Sequence, residues 1–132
     1  MRRLSSFAAV ALMALLVAGP VNAKDVYKIG LIAAFTGAFA SWGVQFQQAV
    51  EAFQTVNGKM LKGPKGEEIE VQVVYRDTAS GGPDKAKQLA EELILREKVK
   101  MLSGLELSPY ASALADISKQ AKIPVVIMTA AT

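Results

Sequence analysis

The stretch Tyr27-Lys28-Ile29-Gly30-Leu31-Ile32-Ala33-Ala34 decides the fold class of this 132-residue chain. After Lys28 it contains no polar side chain, and it is only eight residues long. A short apolar run of this kind is typical of a strand that is buried on both faces of a parallel sheet. Such a strand needs helices on both sides of the sheet, so we expect strands and helices to alternate along the chain.

The sequence downstream of this stretch follows that alternation. We predict helices over 42–56, 83–94 and 108–121, and strands over 69–75, 99–103 and 125–128. The pattern predicts an α/β fold, a doubly wound parallel sheet with strand order 2-1-3-4 and the second strand near the sheet edge. Ligands bind such sheets at the carboxyl ends of the strands where the order reverses. The loops expected to face a ligand are therefore 35–42, 105–108 and the residues from 129 onward.

The N-terminal segment predicts export from the cytoplasm. Arg2 and Arg3 precede the apolar run 7–17, and the helix-breaking pair Gly19-Pro20 comes before Ala23. This is the pattern of a cleaved secretory signal peptide over residues 1–23, and the run is too short for a stable membrane span. An uncleaved anchor is the less favoured alternative, because Gly19-Pro20 interrupts the helix. Residues 24–132 would then be the exported part.

Composition excludes several classes of function. The chain has no cysteine and no histidine, which argues against Ser-His and Cys-His catalysis and the usual zinc sites. Its lysines are scattered among glutamates, so we expect no nucleic-acid partner. Gly37 and Gly43 do not have the spacing of a dinucleotide-binding motif. We therefore predict no enzyme activity and no cofactor or metal.

A small group of residues could bind a ligand at the predicted edge. Ser108 followed by Pro109 reads as the N-cap of the third helix, where open backbone N–H groups and the helix dipole favour an anion such as a carboxylate. Leu107 lies in the loop before it. Past the fourth strand, the Thr132 hydroxyl could hold a carboxylate and the Ala130 carbonyl an ammonium. On local sequence alone, a plain helix cap that binds no ligand is the favoured interpretation of Ser108.

Two further residues in these loops have alternative roles. Trp42 offers a flat apolar wall with an N–H donor, but it could instead cover the first helix. Asp77 ends the second strand before the loop Thr78-Ala79-Ser80-Gly81-Gly82. We predict that Asp77 forms a turn or caps a helix and is not an acid catalyst, because no second carboxylate has an evident reason to lie beside it.

A series of short motifs runs through the exported part in order. They are Lys28-Ile29-Gly30, Thr36-Gly37 with Trp42-Gly43, Asn57-Gly58, Tyr75-Arg76-Asp77-Thr78, Pro83 with Ala86 and Glu92-Leu93-Ile94, Gly104 with Ser108, and Ile123-Pro124-Val125 before Ala130-Ala131-Thr132. In this series the chain resembles the leucine/isoleucine/valine-binding solute receptors of bacterial ABC importers, which are type I periplasmic binding proteins. The resemblance covers nearly all of the exported part.

The resemblance implies a fold, a function and roles for the site residues. It implies that residues 24–132 are a partial N-terminal lobe of a two-lobed, monomeric periplasmic receptor that closes on an amino acid or related small carboxylate and delivers it to a membrane permease. Ser108 and Thr132 match positions that hold the ligand carboxylate, Ala130 one whose carbonyl accepts from the ligand amine, and Trp42 an aromatic that covers the ligand side chain.

The sequence departs from this family pattern at one pocket position and in length. Glu106 stands where branched-chain receptors usually have an apolar residue, so a leucine-like side chain would meet a carboxylate that is costly to desolvate. We also expect the chain to be an N-terminal fragment that leaves apolar surface bare, unfolds readily and associates. A ligand-sensing domain of a signalling receptor on the same scaffold is the alternative function, and a secreted α/β hydrolase is a weaker one.

Overall fold

The computed structural model describes residues 25–129, which form one sheet and the helices that cover it. The elements are β1 (Asp25–Ala33), α1 (Ala40–Asn57), β2 (Met60–Lys62), β3 (Glu68–Asp77), α2 (Gly82–Glu92) with a π-helical turn (Leu93–Glu97), β4 (Met101–Gly104), α3 (Ser108–Ala121) and β5 (Val125–Ile127). No helix within this range is long and apolar enough to cross a membrane. The signal peptide predicted over residues 1–23 lies outside the described residues.

The sheet order is β2-β3-β1-β4-β5. The strands β3, β1, β4 and β5 are parallel, so the predicted order 2-1-3-4 of the parallel strands is confirmed. The second predicted strand, β3, lies nearer the edge than β1, as predicted, but the edge itself is formed by β2, which pairs antiparallel with β3. Sequence periodicity missed β2 because three residues are too few to show an alternation of apolar and polar side chains.

Helices cover both faces of the sheet, as the apolar β1 stretch predicts. Leu31 and Ala33 pack with Phe46 of α1 on one face. Ile32 points to the other face and packs with Leu102 and with residues of α2 and α3. Ile32 and Leu102 are fully buried, and each side chain of this size contributes about 1.5–3 kcal/mol by leaving water.

Turn chemistry places the helix ends close to the predicted positions. The helix α1 begins at Ala40, two residues before the predicted start, and the Gly58 N–H closes it on the Gln54 carbonyl at 2.8 Å. Pro83 and Pro109 lie in the first turns of α2 and α3 as predicted, since their fixed φ suits a helix start and their missing N–H costs no hydrogen bond there.

Apolar side chains remain exposed around β5 and α1. Val126 and Ile127 are each 48% exposed, Met128 is 40% exposed and Phe53 of α1 is 55% exposed. Among the described strands, β4 is the neighbour of β5. The bare apolar surface expected at the fourth predicted strand is thus present, whereas the low stability and the association expected from it remain predictions.

Candidate functional site

The carboxyl ends of four parallel strands meet at one edge of the sheet. The ladder hydrogen bonds continue past the strand ends, with the Thr78 N–H donating to the Ala33 carbonyl and the Leu105 N–H donating to the Ile32 carbonyl, both at 2.9 Å. The Met128 N–H likewise donates to the Gly104 carbonyl at 2.9 Å. The chain leaves β1 toward β3 and returns on the other side as β4, so the crevice between β1 and β4 is where ligands bind sheets of this type.

Asp77 joins the loops after β1 and β3. Its Oδ1 accepts the N–H groups of Phe35 at 2.8 Å, Thr36 at 3.3 Å and Ala79 at 2.7 Å, and its Oδ2 accepts the Thr36 hydroxyl at 2.7 Å. Burial alone would raise the pKa of Asp77, but these hydrogen bonds outweigh burial and lower it. The structure therefore agrees with the prediction that Asp77 organises a turn.

Glu106 lies in the loop between β4 and α3 and is 4% exposed. Its Oε1 accepts the Ala34 N–H at 3.2 Å, which links this loop to the end of β1 across the crevice. Its Oε2 and the Thr78 Oγ1 are buried without a hydrogen-bond partner among the described residues, although the Thr78 hydroxyl is near enough to lower the carboxyl's pKa. Burial outweighs these contacts, and the negative charge of Asp77 adds to it, so the pKa of Glu106 is raised.

The backbone that leads to Glu106 is held in an uncommon conformation. Leu105 is fully buried and has φ = 65°, a left-handed value that a side chain with a Cβ rarely adopts. Gly104 has φ = 103°, and a Cβ there would lie 2.2 Å from the Ile32 carbonyl oxygen. Non-glycine residues in this region cost on the order of 1–3 kcal/mol and cluster at functional sites.

Ser108 is the first residue of α3, one position further into the helix than predicted. Leu107 is the N-cap, with extended φ = −126° and ψ = 141°, and its carbonyl accepts the N–H groups of Tyr110 at 3.0 Å and Ala111 at 3.2 Å. Because the Tyr110 and Ala111 N–H groups are bonded to this carbonyl and Pro109 has no N–H, the turn offers fewer open donors than expected. Ser108 is half-buried and takes part in an interaction of its own.

Trp42 lies in the first turn of α1, directly after the loop that leaves β1. It is 40% exposed, so its indole is open to a partner at this edge. The next residue, Gly43, lies so close to the strand end that a Cβ would come 2.2 Å from the Ala34 carbonyl oxygen. Because Gly43 has no side chain, the first turn of α1 can lie close to the end of β1. This close approach also sets the position of Trp42, the preceding residue.

Three residues of the predicted site lie near the starts of helices at the same edge of the sheet. Leu107, Ser108 and Trp42 all lie in segments that begin at the carboxyl edge of the sheet. Ala130 and Thr132 lie outside the described residues, so their roles stay predictions. The range 25–129 contains no group of three or more carboxylates that could hold a metal ion.

Sequence reasoning missed the polar pair beneath this edge. The sequence indicates Glu106 only as a misfit in an apolar pocket and Thr78 only as part of a loop. In the structure both side chains are buried, next to each other and next to the end of β1. A possible signal was the single carboxylate between two leucines directly after a buried strand, because a charged side chain flanked by apolar ones often needs a partner inside the fold.

The chain is similar to proteins of a known family. The family model described as "Periplasmic binding protein" matches residues 26–132. A Leu/Ile/Val-binding protein homolog 6 of Brucella abortus (strain 2308) is 39% identical over 108 residues, which are 82% of this chain and 26% of that protein. The chain therefore spans about a quarter of the length of the curated relatives it matches.

Solved structures share the architecture. A solute binding protein of an ABC transporter from Rhodopseudomonas palustris BisB5, in complex with 3,4-dihydroxybenzoic acid, superposes with a TM-score of 0.75 at 36% identity, over 83% of this chain and 28% of that one. A leucine binding protein from Thermotoga maritima MSB8 superposes with a TM-score of 0.67 at 26% identity, over 80% of this chain and 28% of that one.

Proposed function

The chain belongs to the periplasmic binding protein family, and from that premise we propose that it is the N-terminal part of a solute receptor that binds a small carboxylate for an ABC importer. The observation that carries this proposal is the strand order, which reverses between β1 and β4; the helices that begin at this edge contain Ser108 and Trp42 in their first turns. This edge is where ligands bind open α/β sheets.

A carboxylate is the chemical group that the relatives' ligands share. One Rhodopseudomonas palustris solute binding protein is in complex with 3,4-dihydroxybenzoic acid, and a second, 37% identical to this chain, is in complex with 4-hydroxybenzoate. A hydroxyl at the start of a helix, as at Ser108, suits such a group because the helix dipole adds a favourable positive potential. Trp42 would supply a flat surface for the rest of the ligand.

The buried Glu106 favours a ligand other than leucine. A branched aliphatic side chain packed against this carboxyl would leave its Oε2 without a hydrogen-bond partner, which costs free energy. The structural neighbour with an aromatic acid is also more identical to this chain, at 36%, than the leucine-binding one, at 26%. We therefore place a small aromatic or other organic acid ahead of a branched-chain amino acid.

The remaining parts of the proposal concern the whole protein. The receptor would be exported to the periplasm by the signal peptide predicted over 1–23, close two lobes around its ligand as a monomer, and dock on a membrane permease. It would bind and release the ligand without a covalent step. Support comes from the family match and from the relatives, which are solute-binding proteins of ABC transporters.

A ligand screen tests this function. The protein in its full natural length would be titrated calorimetrically with 4-hydroxybenzoate, 3,4-dihydroxybenzoate, leucine and isoleucine, and its melting temperature measured with each. At a ligand concentration about 100 times Kd, binding to the native state adds about 2.7 kcal/mol of stability, which a melting curve detects readily. Neither heat of binding nor a shift in melting temperature with any organic acid would refute the proposed function.

A further inference from the structure

The carboxyl of Glu106 is buried at the edge of the crevice without a compensating positive charge. The residue is 4% exposed. Its Oε1 accepts a hydrogen bond from the uncharged Ala34 N–H at 3.2 Å. The ion pairs among residues 25–129 involve Lys28, Arg76 and their glutamates, and none includes Glu106. Oε2 has no hydrogen-bond partner there.

Within residues 25–129, no group that faces Glu106 carries a positive charge: its own N–H, the Ala34 N–H and the Thr78 hydroxyl favour the ionised carboxyl, but burial disfavours it more. Asp77, at the end of β3, acts on it with a negative charge, and Thr78 contributes a neutral hydroxyl. The other segments that reach this edge, residues 30–43, 102–105, 107–109 and 123–129, contain no ionisable side chain. An ionised Glu106 is thus a buried, unpaired anion, and a proton on Oε2 removes that charge.

We propose that Glu106 is a specificity-determining residue that couples the binding of an anionic ligand at the first turn of α3 to the uptake of one proton by the receptor. This inference rests on the proposed function, because it assumes that a carboxylate binds beside Ser108. Glu106 precedes Ser108 by two residues, so their backbones lie within roughly 7 Å of each other.

The coupling follows from the charges. A ligand carboxylate adds a negative charge beside the Glu106 carboxyl and raises its pKa further, so the fraction of Glu106 that is ionised in the free receptor takes up a proton when the ligand binds. The proton comes from solvent and resides on the Glu106 carboxyl, so the incoming charge of −1 is balanced at the site. A zwitterion such as leucine carries its own ammonium, so it should draw a smaller fraction of a proton.

Calorimetry of the protein in its full natural length tests the inference. Binding of 4-hydroxybenzoate would be measured from about pH 5.5, where an ordinary carboxylic acid is still ionised, to about pH 8, in two buffers of different ionisation enthalpy. We expect the affinity to rise as pH falls, by up to tenfold per pH unit, and the buffer dependence to report uptake of up to one proton. Leucine, if it binds, should show a weaker dependence.

A substitution distinguishes proton uptake by Glu106 from proton uptake by other groups. In Glu106→Gln the side chain keeps an oxygen for the Ala34 N–H but cannot ionise, so binding should lose most of its pH dependence and become tighter than wild type at pH 8. Glu91→Gln, at an exposed position of α2, is the matched control and should behave like wild type. If Glu106→Gln does not fold, the number of protons that the wild-type protein takes up on binding still tests the inference.

The outcomes distinguish this inference from the proposed function. If organic acids bind without proton uptake at any pH, or if the Glu106→Gln variant keeps the wild-type pH profile, the role of Glu106 is refuted and the receptor function stands. If no organic acid binds the wild-type protein at any pH, the proposed function fails and the inference fails with it.

Discussion

Replacing Asp77 with alanine should loosen the edge of the sheet at which the ligand is proposed to bind. The substitution removes four hydrogen bonds of 2.7–3.3 Å, of which three tie the loop after β1 to the loop after β3 and one, from the Ala79 N–H, lies within the loop after β3. A hydrogen bond to a charged group contributes about 1.5–3 kcal/mol when it is shielded from water, and less where water can replace it. Three of these four bonds are exposed, so we expect Asp77→Ala to lower the free energy of unfolding by about 2–3 kcal/mol.

The contribution of Asp77 to stability should also depend on pH. Because hydrogen bonds lower the pKa of Asp77 in the folded state, its charge stabilises the fold above the ordinary aspartate pKa of about 3.9, and this stabilisation is lost as pH falls through the lowered value. Asp77→Asn keeps an oxygen acceptor but no charge. It should therefore be less stable than wild type at pH 7, and the difference should be smaller at about pH 3, which lies below the ordinary aspartate pKa.

Urea unfolding of the protein in its full natural length, followed by circular dichroism at both pH values, measures these differences. Asp116→Asn is the matched control, since Asp116 is an exposed residue of α3, and it should change stability by less than about 0.5 kcal/mol. If Asp77→Ala matches that control at pH 7, then Asp77 does not hold the two loops together and the reasoning is wrong.

Three further substitutions test other contacts at the same edge. Gly43→Ala should destabilise the fold by about 1–3 kcal/mol in urea unfolding, because its Cβ would be forced against the Ala34 carbonyl; a change below about 0.5 kcal/mol would contradict that close approach. Tyr110→Phe removes the hydroxyl that accepts the Gly82 N–H at 3.1 Å and should cost about 1 kcal/mol, with unchanged stability as the contrary result. Ser108→Ala should weaken binding of an organic acid by about tenfold, the equivalent of 1.4 kcal/mol, with melting temperature unchanged without ligand; unchanged affinity in calorimetry would remove Ser108 from the site.

The parallel part of the fold could be predicted from the sequence because its strands are short apolar or alternating runs, and helices with an apolar face follow β1, β3 and β4. The observed order of β3, β1, β4 and β5 is the predicted doubly wound one, in which right-handed crossovers on either side of β1 place helices on both faces of the sheet. The strand β2 could not be found by periodicity, because its three residues are too few to show an alternation of apolar and polar side chains. Local patterns thus identified the elements buried on both faces and missed the short edge strand.

The candidate site was predictable only in part, because its chemistry depends on contacts between distant residues. The position of Ser108 near a helix start could be predicted from the proline that follows it, within one residue of the observed place. The burial of Glu106 could not, since it depends on the Ala34 N–H, 72 residues away, and on the neighbouring Thr78. Aspartate at the end of β3 was correctly predicted to organise a turn, but its bonds across to the β1 loop needed the three-dimensional arrangement.

A crystal structure of the protein in its full natural length with a bound organic acid tests the central claim most directly. We expect the ligand carboxylate in the crevice between β1 and β4, with an oxygen within about 3.2 Å of a donor of Ser108. A carboxylate bound at any other edge or face of the sheet, with the first turn of α3 unoccupied, would contradict the account.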